Sequence, residues 1–451
     1  LSVYRFMLKY GMYDFFRSGQ AKQWSQLEFR DHSNVRNNIL FRQNYNFKLP
    51  AAILAAYYRD PGYQYYRETC TFNILGQGMF DDRYVCGIGT FRSNVKSRMP
   101  EEINRLTVVR TSDHDLANSN FFNSLSSRFN PAVLKQTPTD MVILKGGTRP
   151  GDSLLAVSGT ERYIAHPGEI VQFSVNGTGW LHNWWTGLYS NDTGTPFERN
   201  MLYVNRSKQP GNAVGIYSAL AGLEWSLCLP GIQAASLSIT PFNGVDWKRS
   251  LYRVNHEAYL VYDAVTALQD DDFDIAVTWC PMYGVMPDTE DTLFSILGKN
   301  IFSIACSGKG FLLETNTKNY LNKVSPKLNS HFAFHGSLKK GDRLAAAALL
   351  QVNGKLSVVE LGNAKVALLE NGKTVSEITL TDSGVREIGR KRLAASGCTR
   401  FELDGTCLFQ SEKPVGMVWD FETATLHADG APPPLGRCNS PSAHCTLPRR
   451  A

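Results

Sequence analysis

"GDSLLAVSGTERYIAHPGEIVQFSVNGTGWLHNWW", residues 151–185, decides how the chain reads. It opens as a strand, breaks at His166-Pro167, resumes over Ile170 to Val175, and ends in an aromatic turn where His182 lies between Trp180 and Trp184-Trp185. Side chains alternate along a strand, so Val171, Phe173 and Val175 share one face and Ile170, Gln172 and Ser174 the other. His166 stands at the mouth of that ladder. An ordinary reading has His166 capping the turn ahead of Pro167 and the tryptophans packing a core or a sheet edge. A sharper reading makes the two histidines and the tryptophans part of a ligand cleft.

Outward from this stretch, the hydrophobic period is two from Met141 onward. The runs "NMLYVNR", "LEWSLCL", "ASLSITPF", "WKRSLYRV", "AYLVYDAV" and "FDIAVTWC" are separated by Gly, Pro, Asn and Asp turns, the pattern of an antiparallel β-sandwich. That sandwich is expected over 141–330, and a second, smaller β unit over 331–427, from "RLAAAALLQV" to "PVGMVWDF". Upstream, "LSVYRFMLKYGMYDFFRS" and "LPAAILAAYYRDPGYQYYRETCTFNIL" carry apolar residues at helical spacing, broken at Asp60-Pro61-Gly62, so residues 1–80 read as helical hairpins. Residues 81–140 read as an irregular polar connection, and 428–451 as a Pro- and Cys-containing tail. The fold class expected is α+β: partial helical layer, large antiparallel sandwich, small C-terminal β unit.

The 451 residues, 43 % hydrophobic and 20 % charged, are ordinary globular composition with room for two or three domains. A net charge of +6 with scattered Lys and Arg favours an acidic partner only weakly. No nucleic-acid-binding pattern occurs, and no apolar run approaches the roughly 20 residues of a membrane span. The chain begins with Leu1 and reads as a processed or partial polypeptide with more chain upstream. Sequons at Asn176, Asn191 and Asn205 suit N-glycosylation in a secretory eukaryote. Nine cysteines without zinc-type CxxC spacing suggest local disulfides, within Cys398/Cys407 or Cys438/Cys445, with at least one thiol left free or intermolecular, and a secreted or extracellular protein. The acidic run "QDDDFD" at 269–274 reads as a solvated turn, with Ca²⁺ on its oxygens as the sharper alternative.

Helix pairs, a polar connection and then a large sandwich resemble, in that order, the heparinase II/III-like polysaccharide lyase superfamily, an (α/α) toroid followed by β-sandwich domains. "YYRDPGYQYYRE" looks like the last toroid helix pair, "YIAHPGEIVQFSVNGTGWL" resembles the family's His-x-His-Pro-Asp segment, and "FERNMLYVNR" its His-Asn strand. The departures are specific: Ile164 and Gly168 replace the first histidine and the aspartate, and Arg199-Asn200 stands where the family has His-Asn. The resemblance implies a lyase that removes the C5 proton of a uronic acid and expels the 4-linked sugar. On that basis Tyr4 and His166 are the candidate catalytic residues, with Arg36, His182, Trp184, Arg199 and Asn200 as candidate binders of an acidic polysaccharide. With family ligands lost at Ile164, Gly168 and Arg199, only His166 remains in place, so no metal or other cofactor is expected, the alternative being a different site built by His166, His182 and Glu169. The alternative is a non-catalytic carbohydrate-binding or structural glycoprotein on the same scaffold.

Overall fold

The computed structural model describes residues 94–98, 106–110, 137–146, 152–159, 167–176, 178–182, 199–207, 221–229, 231–281, 285–289, 291–316, 329–387, 392–403, 406–428 and 443–446, with isolated positions at 56, 59, 61 and 64. Apart from single helical positions at 56, 61 and 64, the elements formed by the described residues are antiparallel strands. The expected α+β class is therefore corrected to β. The helical hairpins at 1–80 fall almost entirely outside the described residues. The β class follows from the sequence: Val, Ile, Thr and aromatic residues at period two favour a pleated surface over a helix.

In chain order the first strands are β1 (Leu106–Arg110), β2 (Thr137–Lys145), β3 (Leu154–Ser158), β4 (Ile170–Val175), β5 (Thr178–His182), β6 (Leu202–Arg206), β7 (Ala221–Leu229) and β8 (Ile232–Phe242). Next come β9 (Val245–Arg253), β10 (Ala258–Ala267), β11 (Asp271–Trp279), β12 (Val285–Thr289), β13 (Thr292–Leu297), β14 (Asn300–Ser307), β15 (Leu312–Asn316), β16 (Asn329–Leu338) and β17 (Arg343–Val352). The last are β18 (Leu356–Gly362), β19 (Lys365–Glu370), β20 (Lys373–Thr381), β21 (Gly384–Glu387), β22 (Arg392–Leu403), β23 (Thr406–Asp420), β24 (Thr425–Ala428) and β25 (Ala443–Thr446).

They make three layers. A 13-stranded sheet runs β12-β13-β14-β17-β10-β9-β8-β7-β2-β3-β4-β5, with β1 also on β2. A four-stranded sheet, β15-β16-β11-β6, packs on one of its faces through Val142, Phe173, Trp247, Ile275 and Trp279. On the other face Leu227, Tyr252 and Leu349 meet Val366, Ile378 and Val418 of an eight-stranded sheet, β18-β19-β20-β21-β22-β23-β24 with β25 on β22. Tyr252 Oη donates to Glu387 Oε2 at 2.7 Å and Trp225 Nε1 to the Thr381 carbonyl at 3.2 Å, so hydrogen bonds join those two layers as well. The large sheet is thus covered on both sides. This explains why β10, in the middle of the large sheet, is buried along nearly its whole length and does not alternate between a wet and a dry face.

Strand pairing places β16 and β17, beyond the expected boundary at 331, inside the first two sheets; the separate third layer starts at β18. The expected Cys398/Cys407 bridge is corrected. Register sets Cys398 opposite Val415 and Cys407 opposite Glu402, and the two thiols donate instead to the Arg400 and Phe409 carbonyls at 3.2 and 3.3 Å. Cys438 lies outside the described residues. Among the described residues no helix is long and apolar enough to cross a membrane.

Candidate functional site

The starts of β4 and β6 meet where the large and the four-stranded sheets come together. Ile170 N donates to the Asn200 carbonyl at 2.9 Å, and Asn200 Nδ2 returns a bond to the Ile170 carbonyl at 3.1 Å. Asn200 Oδ1 accepts from Cys280 N at 2.7 Å. Asn200, expected to bind substrate, is fully buried and serves as a cross-sheet clamp. Beside it Arg199 Nη1 lies 3.0 Å from Oε2 of Glu169, whose side chain is fully buried. Thr278 Oγ1 donates to the Arg199 carbonyl at 2.5 Å, which fixes the bend leading into β6 that carries this arginine.

A second ion pair lies beneath the first. Arg249 and Asp263 are direct cross-strand neighbours on β9 and β10, on the face turned toward the four-stranded sheet. Arg249 Nε and Nη2 donate to the two Asp263 oxygens at 2.7 and 2.8 Å, and Trp247 Nε1 donates to Asp263 Oδ1 at 2.7 Å. The remaining Nη1 donates to the Gly168 and Asn200 carbonyls at 2.6 and 3.1 Å. A buried guanidinium needs its donors satisfied, and this one spends them on the segment after His166 and on the one after Arg199. Gly168 is required there: its φ is +81°, and a Cβ would come within 2.5 Å of the Trp247 ring.

From Arg199 the arrangement continues across the four-stranded sheet on the face turned away from the large one. Thr278 of β11 is opposite His331 of β16, and His331 is opposite Glu314 of β15. His331 Nε2 is 3.1 Å from Glu314 Oε2. Adjacent strands are about 5 Å apart, so the imidazole lies on the order of 10 Å from the Arg199 end of the row. At this end Ala276, Thr278, His331 and Ala333 are buried, whereas Asp272, Asp274, His335 and Ser337 at the other end of the same face are exposed. Tyr203 of β6, opposite Ala276, adds a half-buried phenol. Burial first, and the nearby Asp274 second, raise its pKa, so it is a neutral donor at ordinary pH. Burial pulls His331 below the usual imidazole value against the opposing pull of Glu314, which keeps it neutral near pH 7.

Of the residues marked by sequence, Tyr4, Arg36, His166, Trp184 and Asn191 lie outside the described residues. The backbone of His182 ends β5, opposite Gln172. Trp180 is fully buried, its ring 5.6 Å from that of Phe302, which makes it core and not a sugar platform. Asn176 is exposed in a left-handed turn (φ 53°), and Asn205 Nδ2 lies 3.4 Å from Asp274 Oδ2. The acidic run is structural: Asp271 accepts from Arg206 Nη1 and Ser207 Oγ at 3.4 and 2.6 Å. Sequence reasoning missed Tyr203, Glu314, His331 and the Arg249–Asp263 pair. The signal for the histidine was "SHFAFHGSL", where a period-two run puts His331 and His335 on one face. Among the described residues no group of three or more His, Cys, Asp or Glu is placed to hold a metal.

No protein-family model and no curated sequence matches the chain. Among solved structures it is similar to heparan sulfate lyase HepC from Pedobacter heparinus, with 12 % identity, a TM-score of 0.48, and coverage of 73 % of this chain and 47 % of that one. It is also similar to a heparinase III, with 13 % identity, a TM-score of 0.47, and coverage of 71 % and 46 %. The chain thus spans about half the length of the structures it matches.

Proposed function

We propose that this chain is part of a polysaccharide lyase-like protein that acts on or binds an acidic, uronate-containing polysaccharide at the buried end of the four-stranded sheet's outer face. The observation that carries the reading is the row Arg199, Thr278, His331, Glu314: Thr278 holds the main chain of Arg199, whose guanidinium is paired with Glu169, and stands opposite His331, a neutral imidazole held by Glu314. β-Elimination needs both kinds of group. The C5–H bond breaks as the C4=C5 bond forms, and the C4–O bond breaks as the leaving oxygen gains a proton. A cation must lower the cost of carbanion character beside the carboxylate, and a group titrating near neutral pH must move the proton. Arg199, paired with Glu169 at the edge of this site, suits the first task. His331 suits the second, with the phenol of Tyr203 as a donor on the same face. The same reading puts the protein outside the cell, with Asn176 and Asn205 as glycan acceptors.

The test is to incubate the full chain with alginate, glucuronan, heparin and chondroitin, following absorbance of the unsaturated uronate product alongside a binding assay. The expected result is binding to at least one polymer that falls at least tenfold in Arg199→Gln. No binding and no product with any polymer would overturn the proposal.

A further inference from the structure

His331 does not titrate alone. On the exposed part of the same face, His335 Nδ1 lies 2.8 Å from Asp274 Oδ1 on β11, and its Nε2 lies 2.9 Å from Glu314 Oε1 on β15. The other oxygen of that glutamate holds His331. Carboxylate oxygens only accept, so both ring nitrogens of His335 carry protons in this arrangement and the ring is an imidazolium. By the same rule His331 donates through Nε2, which leaves its Nδ1 as the basic position. One carboxylate therefore joins a solvent-facing cation, 54 % exposed at the side chain, to a neutral imidazole that is 10 % exposed.

We infer that Glu314 makes His335 and His331 a coupled proton pair, in which His335 is the solvent-side reservoir for the buried imidazole of the candidate site. A proton leaving His335 to solvent removes a positive charge near His331 and leaves the Glu314 carboxylate without that counter-cation, which makes His331 the stronger base. A proton arriving at His335 does the opposite. No bond between heavy atoms changes, and each proton is exchanged with water. The groups that enter are Asp274 on β11, which fixes the outer side of His335, and Glu314 on β15. Asn205 on β6 donates to Asp274, and Thr278 on β11 is opposite His331. Asp272, next along the face, is occupied by the Ser337 hydroxyl. The direction of each titration agrees: hydrogen bonds to Asp274 and then Glu314 raise His335, whereas burial lowers His331.

The assignment of His331 to a substrate site rests on the proposed function; the coupling does not. Imidazole NMR titration of the full chain, with His335→Gln and Glu314→Gln, separates the two. In the parent protein His335 is expected to titrate above, and His331 below, the free-histidine value of about 6.5. His335→Gln should move the His331 midpoint upward, and Glu314→Gln should move both remaining midpoints downward. Both substitutions fall on partly exposed side chains, which keeps the fold intact for measurement. An unchanged His331 midpoint in His335→Gln would overturn the coupling whatever the polymer assays show. If the midpoints move as expected, a binding or cleavage profile on a uronate polymer that follows the His331 midpoint in each variant supports its place in the site. A profile indifferent to it removes His331 from the site.

Discussion

Two carboxylate–cation networks, about one sheet thickness apart, use the same chemistry to opposite ends. Arg249 and Asp263 are sealed between two sheets, and the hydrogen bonds of their charged groups are made inside the protein. His335, Asp274 and Glu314 lie on an open face and share a cation whose titration the two carboxylates raise above the usual imidazole value. The first network fixes where β4 and β6 begin; the second tunes a proton. The comparison teaches that burial decides whether a cross-strand ion pair is a frame or a sensor, because only the buried pair is penalised heavily for losing a partner.

Substitutions can break that comparison. Asp263→Ala should have the largest effect, a loss of about 3–5 kcal/mol in urea unfolding, because it leaves a guanidinium buried without its counter-charge. The double change Arg249→Met with Asp263→Leu should recover only part of this, since the Gly168 and Asn200 carbonyls lose their donor as well. Full recovery would show that the pair contributes packing and no positioning. Gly168→Ala should follow at about 1–3 kcal/mol, the cost of a left-handed φ and a Cβ against Trp247.

The two histidines come next, with opposite signs. His335 has a raised folded pKa, so its contribution is fully present below the unfolded value of about 6.5 and is lost as pH rises through the folded value. His331 has a lowered folded pKa, so it destabilises the fold as pH falls from about 6.5 toward the folded value. In His335→Gln the fall in stability as pH rises above about 6.5 should therefore disappear, and the acid-side loss due to His331 should shrink as its midpoint moves up toward that value. The smallest effect should be Lys365→Ala, at most about 1 kcal/mol, because its 2.6 Å contact with Glu377 is on the surface and screened. A Lys365→Ala cost equal to that of Asp263→Ala would end the contrast.

The strands were legible because period-two patterning and turn residues report directly on backbone pleating. The layering was not. "RLAAAALLQV" reads as the opening of a separate unit, yet as β17 it lies between β10 and β14, and nothing local in a strand names its neighbour. The disulfide failed for the same reason: loop length suggested that Cys398 and Cys407 meet, and register separates them along β22 and β23. In the site, Arg199 and Asn200 were legible as positions, and their partners were not. Arg249 in "WKRSLYRV" looks like an exposed strand residue until Asp263 is seen opposite it in the core. His331 needed its face assigned before its carboxylate could be found.

The late position of β17 governs how the chain must be made. Until residue 352 has been synthesised, β10 and β14 have no common neighbour, and each leaves an open row of amide and carbonyl groups. The large sheet can become continuous only by a contact between segments distant in sequence, a slow event during which those rows can capture another chain. A fragment ending near 331, where composition invites a cut, keeps both rows open and should aggregate on expression; one extended past Val352 closes them.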